Sequence, residues 1–149
     1  MTPRNIRWSG TDPSPEAAAA IAEIHKSVRV LSVEVHRADF LIVNTHEDRP
    51  MRLTVTVPSG VPMASVREWI CTVDENLVAA AIRWVAYDEF YLTTGAARLS
   101  LDDDDGDVDL WFSSEFPTRS IDASFLALVA ADIASLQSSG RRLFESRLT

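Results

Sequence analysis

The chain has 149 residues, 22 Asp+Glu against 14 Lys+Arg, and 46% hydrophobic residues, which suits one domain with a sizeable core and excludes global disorder. Its single cysteine, Cys71, excludes an intrachain disulfide and a Cys-rich metal site, and fits a reducing compartment. The net charge of −8 is concentrated: six acids lie between Asp102 and Asp109, and without them the balance is 16 acids against 14 bases.

Residues 1–13 read as a flexible N-terminal arm, because Met1 to Thr11 has no periodicity. Ser14-Pro15-Glu16 reads as a helix start: a serine N-cap, proline at the first helical position where its missing N–H costs nothing, and an acid in the first turn. Ala17, Ile21, Ile24 and Val28 continue one apolar stripe, which predicts a helix over Pro15 to Val28. The period then changes to two. Leu31, Val33 and Val35 alternate with Ser32, Glu34 and His36, and Arg37-Ala38-Asp39 makes a short turn. Phe40-Leu41-Ile42-Val43 is apolar on both sides, as in a central strand or one covered by another subunit. Met51, Leu53, Val55 and Val57 alternate with Arg52, Thr54 and Thr56, so the three strands suit an antiparallel meander.

Pro58-Ser59-Gly60-Val61-Pro62 ends that meander. From Met63 to Tyr87 the pattern reads as interrupted helix: Val66, Trp69 and Ile70 form a short apolar face, Asp74 is an N-cap candidate, and Glu75 to Tyr87 carries Leu77, Val78, Ala81, Ile82 and Val85. Ala79, Ala80 and Ala86 widen this second face, and Arg83 is the one charge after Glu75, so cover on more than one side is expected. Ala96 to Leu101 and Val108 to Phe112 read as a hairpin whose turn is the acidic run. The last helix starts near Ser120 or Asp122, carries Phe125, Leu128, Val129, Ile133 and Leu136, and meets a C-cap signal at Gly140; residues 141–149 read as a tail. The expected fold is α+β, an antiparallel sheet of about five strands with three helices in the order α-β-β-β-α-β-β-α, a single domain over residues 14–140.

Chemical motifs are scarce. With Gly106 at position six of an EF-hand loop, Asp103 and Asp105 fall on ligand positions, but positions one and twelve are Leu101 and Phe112, so a solvated turn or acidic docking loop explains the run better. Cys71 with His25, His36 or His46 lacks a glycine-framed turn to expose the thiol, and a buried packing cysteine is the usual case. Asp88-Glu89 and Glu47-Asp48 sit among polar residues, where ordinary solvated charges are expected. No Gly-rich phosphate loop is present, and no run of bases exceeds Arg141-Arg142, although Arg4, Arg7 and the tail could touch phosphate weakly. No apolar stretch is long enough for a membrane span, and Met1 to Gly10 has no apolar signal core, so a cytoplasmic protein without a membrane partner is expected. The aromatic residues say more. Trp111 alternates out of phase with Val108, Leu110 and Phe112, Trp84 edges an over-apolar helix, and Trp69 lies on the short face before it; taken singly, Trp84 and Trp111 read as core fillers, and taken with the two-sided strand they suggest cover by another chain.

Asn76-Leu77-Val78-Ala79-Ala80-Ala81-Ile82-Arg83-Trp84-Val85-Ala86, then Ala97 to Asp103, Asp107 to Phe112 and Glu115-Phe116-Pro117 form a pattern that resembles the YbjN family of bacterial proteins and the related type III secretion chaperone fold. The likeness spans residues 15 to 138, with Ile82 and Val85 standing where the family's helix commonly has asparagine. It implies a domain that dimerises and binds other proteins without chemistry of its own, and it carries over no catalytic residues. The expectation is a non-enzymatic cytoplasmic homodimer acting as an adaptor, regulator or chaperone, with no metal or cofactor. Its expected contacts with the partner or second copy are Phe40, Ile42, Trp69, Trp84, Trp111 and Asp102, Asp103, Asp104 and Asp105. The alternative is an accessory factor in DNA metabolism or stress response that contacts single-stranded DNA or a DNA-binding protein; nucleic acid is not otherwise indicated. A small-molecule or metal sensor ranks third.

Overall fold

A computed structural model describes residues 5–8, 12–24, 30–37, 40–46, 50–87, 92–102 and 104–146; the side chains of residues 5–8, 30–32, 36, 37, 40, 44–46, 50, 51 and 123 lie outside the description. The chain is α+β. Its elements are β1 (Asn5–Trp8), α1 (Pro15–Ile24), β2 (Val30–Arg37), β3 (Phe40–His46), β4 (Pro50–Thr56), β5 (Met63–Val73), α2 (Val78–Ala86), β6 (Ala96–Leu101), β7 (Val108–Pro117) and α3 (Ala123–Phe144), with 3-10 turns at Glu75–Leu77 and Thr118–Ser120. Two compact units divide it: Met1–Val66 with Glu115–Ala130, and Arg67–Ser114 with Ala131–Thr149, so β5, β7 and α3 give residues to both.

In the first unit the strand order is β1-β2-β3-β4-β5. The meander is held by its register, which places Val33 beside Val43 and Val43 beside Leu53, and Val35 beside Leu41 and Leu41 beside Val55. All six are fully buried. Burying a side chain of this size contributes about 1.5–3 kcal/mol, so one ladder face anchors the unit. Ile42, on the opposite face between Glu34 and Thr54, is only 3% exposed, so the expected two-sided burial of this strand is met within the chain. The predicted start of α1 is seen in full. The Ser14 hydroxyl oxygen accepts from the Ala17 N–H at 3.1 Å, and Glu16 accepts from the Gly60 N–H at 3.1 Å, tying the first helical turn to the loop after β4. That hydrogen bond holds the Glu16 carboxyl below its ordinary pKa. The predicted extension to Val28 falls partly on residues 25–29, outside the description.

The second unit has the strand order β5-β7-β6, with β6 antiparallel to β7. Leu110 and Phe112 are fully buried, and α3 packs on Leu110 at Gly140, where a Cβ would stand 2.8 Å from Leu110 Cδ2 and 3.7 Å from Ile70 Cγ2. The C-terminal end of α3 is fastened to β5. The Arg141 Nε–H donates to the Ile70 carbonyl at 2.8 Å, the Asp74 N–H to the Phe144 carbonyl at 2.8 Å, and Val73 bridges to Glu145.

Three sequence expectations are corrected. Asn5–Trp8 belongs to a strand rather than a loose arm, paired in parallel with β2 from Asn5 beside Ser32 to Trp8 beside Val35; four residues are too few to show a period. Met63–Val73 is a strand, not a helix, so the sheet exceeds the five expected strands. Its alternation, with Ala64 and Val66 buried, is broken where Ile70 and Cys71 are buried in succession, and that step mimics a helical spacing. Gly140 is interior to α3, which runs to Phe144, so residues 141–144 are helix and not tail. Helix signals at both ends otherwise placed elements correctly: Asp74 accepts from the Asn76 N–H at 2.9 Å before the first 3-10 turn, and Asp122 from the Phe125 N–H at 2.7 Å before α3.

Candidate interaction surface

The residues of α2 divide sharply. Ala81 and Trp84 are buried, and the Trp84 ring meets the Phe144 ring edge-on, centroids 5.3 Å apart at 64°. The opposite side is exposed: Ala79 and Ala86 lie beside Ile82, 54% exposed, Arg83 follows as its one charge with Ala80 beyond it, and Tyr87 is 74% exposed just past the helix. The cover expected on several sides is present on one.

The acidic turn uses its carboxylates on its own backbone. Asp102 Oδ1 accepts from the Asp104 N–H at 2.9 Å and Asp105 Oδ1 from the Asp107 N–H at 3.0 Å; Gly106 takes a φ of +76°, which a residue with a Cβ rarely adopts. The backbone closes through Asp102 N–H to Asp107 carbonyl at 2.7 Å and Gly106 N–H to Asp102 carbonyl at 2.8 Å. Repulsion from Asp105 foremost, then some loss of hydration and repulsion from Asp109 and Asp102, raises the Asp107 carboxyl above its ordinary pKa. Among the described residues no three His, Cys, Asp or Glu side chains group as metal ligands; Asp103 lies outside them.

The outer face of β5-β7-β6 is the more unusual surface. Trp111 faces away from buried Leu110 and Phe112, as its phase predicts, and stands beside Arg98 across the β6–β7 register. Arg67 lies over its ring, Cζ 4.3 Å from the centroid, a cation–π contact. Trp69 is two residues from Arg67 on β5 and shares its face by the two-residue period; it is 44% exposed. The Trp111 Nε1–H is buried without a hydrogen-bond partner among the described residues.

Two further groups settle smaller questions. The Cys71 thiol is fully buried and its pKa is pushed up to about 11, by burial first and then by Glu145 and Asp109 against Arg141. A thiol held protonated is no nucleophile at neutral pH. Its histidine candidates fall elsewhere: His25 and the side chains of His36 and His46 are outside the described residues, as are the pairs at 47–48 and 88–89. Asp132, which sequence reasoning passed over, is 7% exposed on α3 and accepts from the Thr93 N–H at 3.0 Å and from the Thr94 N–H and hydroxyl, both at 2.6 Å; the Ser114 hydroxyl donates to the Thr94 carbonyl at 2.6 Å. Its signal was available, since Asp132 is the one acid at helical spacing within the stripe of Val129, Ile133 and Leu136.

Of the expected contact residues, Trp69, Trp111, Asp102, Asp104 and Asp105 are brought together in the second unit on one sheet and its hairpin turn. Ile42 and Trp84 are corrected: both are buried, and what covers Trp84 is the ring of Phe144 of the same chain, so neither is open to a partner. The Phe40 side chain lies outside the description. In comparisons with family models, curated proteins and solved structures the chain matches none. No helix among the described residues is long and apolar enough to cross a membrane.

Proposed function

We propose that this chain is a non-enzymatic protein-binding module, an adaptor, regulator or chaperone, that works as a cytoplasmic homodimer. The observation that carries the reading is the outward side of α2, where Ile82, Ala79 and Ala86 form an exposed apolar helical strip. Such strips are used as helix-face docking sites for protein partners. The resemblance to the YbjN family supports the same class of action. The alternative, contact with single-stranded DNA, draws on Arg67, Arg98 and the exposed Trp69, but an acidic turn on the same hairpin opposes phosphate.

The test is co-purification from the native host with wild type and with Ile82→Lys. The expected result is one stoichiometric protein retained by wild type and lost by the variant, with melting temperature and oligomer mass unchanged. A variant that retains every partner, or a wild type that retains none, would overturn the reading.

A further inference from the structure

β6 ends the described sheet, so only one of its two backbone edges is paired. Its ladder with β7 runs without a bulge from Ala96 beside Ser113 to Leu101 beside Val108. Just past that ladder the Asp102 N–H donates to the Asp107 carbonyl at 2.7 Å, which fixes the phase of the backbone. Alternate residues of a strand turn their N–H and C=O groups to the same side, so those of Ala96, Arg98 and Ser100 face β7 and those of Ala97, Leu99 and Leu101 face outward. No described strand or bridge lies on that outward side. α2 lies near β6, but a helix uses its backbone groups within itself, and no residue of β6 is buried.

Edge strands that stay single carry prolines, bulges or several charges that keep other strands away. β6 has no proline and no bulge, and its one charge, Arg98, stands on the face beside Trp111. The strand's own sequence selects an occupant. A two-fold axis perpendicular to the sheet sets two β6 strands antiparallel, with residues of one face opposite residues of the same face. With Leu99 on that axis, Leu99 opposes Leu99 and Ala97 opposes Leu101 of the second copy, so every outward N–H and C=O is taken up, two hydrogen bonds to each pair. Arg98 then opposes Ser100, and Leu101, 64% exposed, gains an apolar neighbour. Sliding the pair by two residues leaves Ala97 or Leu101 beyond the end of the other strand, and in one direction sets Arg98 against Arg98. The pairing is also closed, because it uses up both free edges. We infer that β6 pairs with β6 of a second copy of this chain, antiparallel and with Leu99 on the two-fold axis. The inference rests on the homodimer reading above and adds to it the strand, the register and the main-chain bonding, leaving the α2 strip for another partner.

Two kinds of variant test the pairing. Ala97→Pro removes an outward N–H and leaves the bonds to β7 in place, since proline is tolerated where an edge strand's N–H faces solvent. Sedimentation should show a wild-type dimer and an Ala97→Pro monomer at the same concentration, with circular dichroism unchanged. Should the proline disturb the hairpin, cysteines on the outer face answer the same question. Arg98→Cys and Ser100→Cys are made separately, with Cys71 left in place because its thiol is buried. Opposed residues of a pair that shares no hydrogen bonds have Cα atoms about 4.5 Å apart, within reach of a disulfide. Each cysteine variant oxidised alone should stay without a cross-link, and an equimolar mixture should give a disulfide-linked pair, because residue 98 of one copy opposes residue 100 of the other. A folded Ala97→Pro variant that remains dimeric, or a mixture that does not cross-link while wild type is dimeric, overturns the β6 pairing and leaves the homodimer standing. Monomeric wild type overturns both. A different protein that holds wild type in a one-to-one complex and is lost with Ala97→Pro assigns the edge to that partner, and also overturns the pairing.

Discussion

Asp132 shows how one residue can order a segment that has no regular structure of its own. Its carboxylate takes three hydrogen bonds from Thr93 and Thr94, and the Ser114 hydroxyl secures the next carbonyl, so the approach to β6 is set by side chains and not by a ladder. Removing the acceptor leaves part-buried donors unpaired, which costs about 1.5–3 kcal/mol when the lost bonds were to a charge. Asp132→Ala should lower stability by that amount in urea unfolding, and Asp132→Asn, which keeps one acceptor oxygen, by less. Cys71 makes the converse case, a reactive residue type silenced by its surroundings. With its pKa pushed up to about 11, the thiol should resist a disulfide reagent at pH 8 in the folded protein and react at once in denaturant. Fast labelling of the native protein would contradict its burial.

At the scale of elements, the sequence marks Gly140 as a helix stop, and it is instead a buried position inside α3 that packs against Leu110 of β7. Glycine in a helix interior costs about 1 kcal/mol relative to alanine, so Gly140→Ala would stabilise an exposed helix. Here the added methyl would stand 2.8 Å from Leu110 Cδ2, the end of a fully buried side chain that would have to shift. Overpacking costs about 1–3 kcal/mol, so Gly140→Ala should be neutral to destabilising and Gly140→Val clearly destabilising by thermal melting. The same distinction explains what was legible in the sequence. Caps at Ser14, Asp74 and Asp122 and the alternation in β2, β4, β6 and β7 are local signals, and the structure follows them. β5 was misread because its two successive buried residues carry no local mark of being a strand, and β1 because parallel pairing with β2 is a tertiary fact. On the candidate surface, the phase of Trp111 and the excess of apolar residues on α2 could be read directly. That Arg67 lies over Trp111, and that Phe144 rather than another chain covers Trp84, depends on which strands and helices become neighbours.

For the whole molecule the decisive quantity is where the charge of −8 resides, since six of the acids fall between Asp102 and Asp109, at the hairpin turn and the start of β7, and the remainder of the chain is nearly balanced. A turn of this kind has two opposed effects on stability. The Asp102 and Asp105 side chains organise it by accepting backbone N–H groups, while their charges, with that of Asp109, disfavour ionisation of Asp107. Asparagine separates the two, because its carbonyl oxygen accepts the same hydrogen bonds without the charge. Replacing Asp102 to Asp105 with Asn should therefore leave the fold intact and raise the melting temperature at pH 7 and low salt. The sign follows from linkage: a carboxyl whose folded pKa is raised costs the fold stability when ionised, and the cost disappears as pH falls through that raised value towards the unfolded one. The advantage of the Asn variant should accordingly shrink both in acid and in high salt, where repulsion is screened. Alanine at the same four positions removes the acceptors as well, and should lose the ordered turn without gaining more than Asn does in relief of charge. A turn variant that unfolds the domain outright would show that Asp102 to Asp105 support the core, contrary to carboxylates of Asp102 and Asp105 that accept from the backbone N–H groups of their own turn.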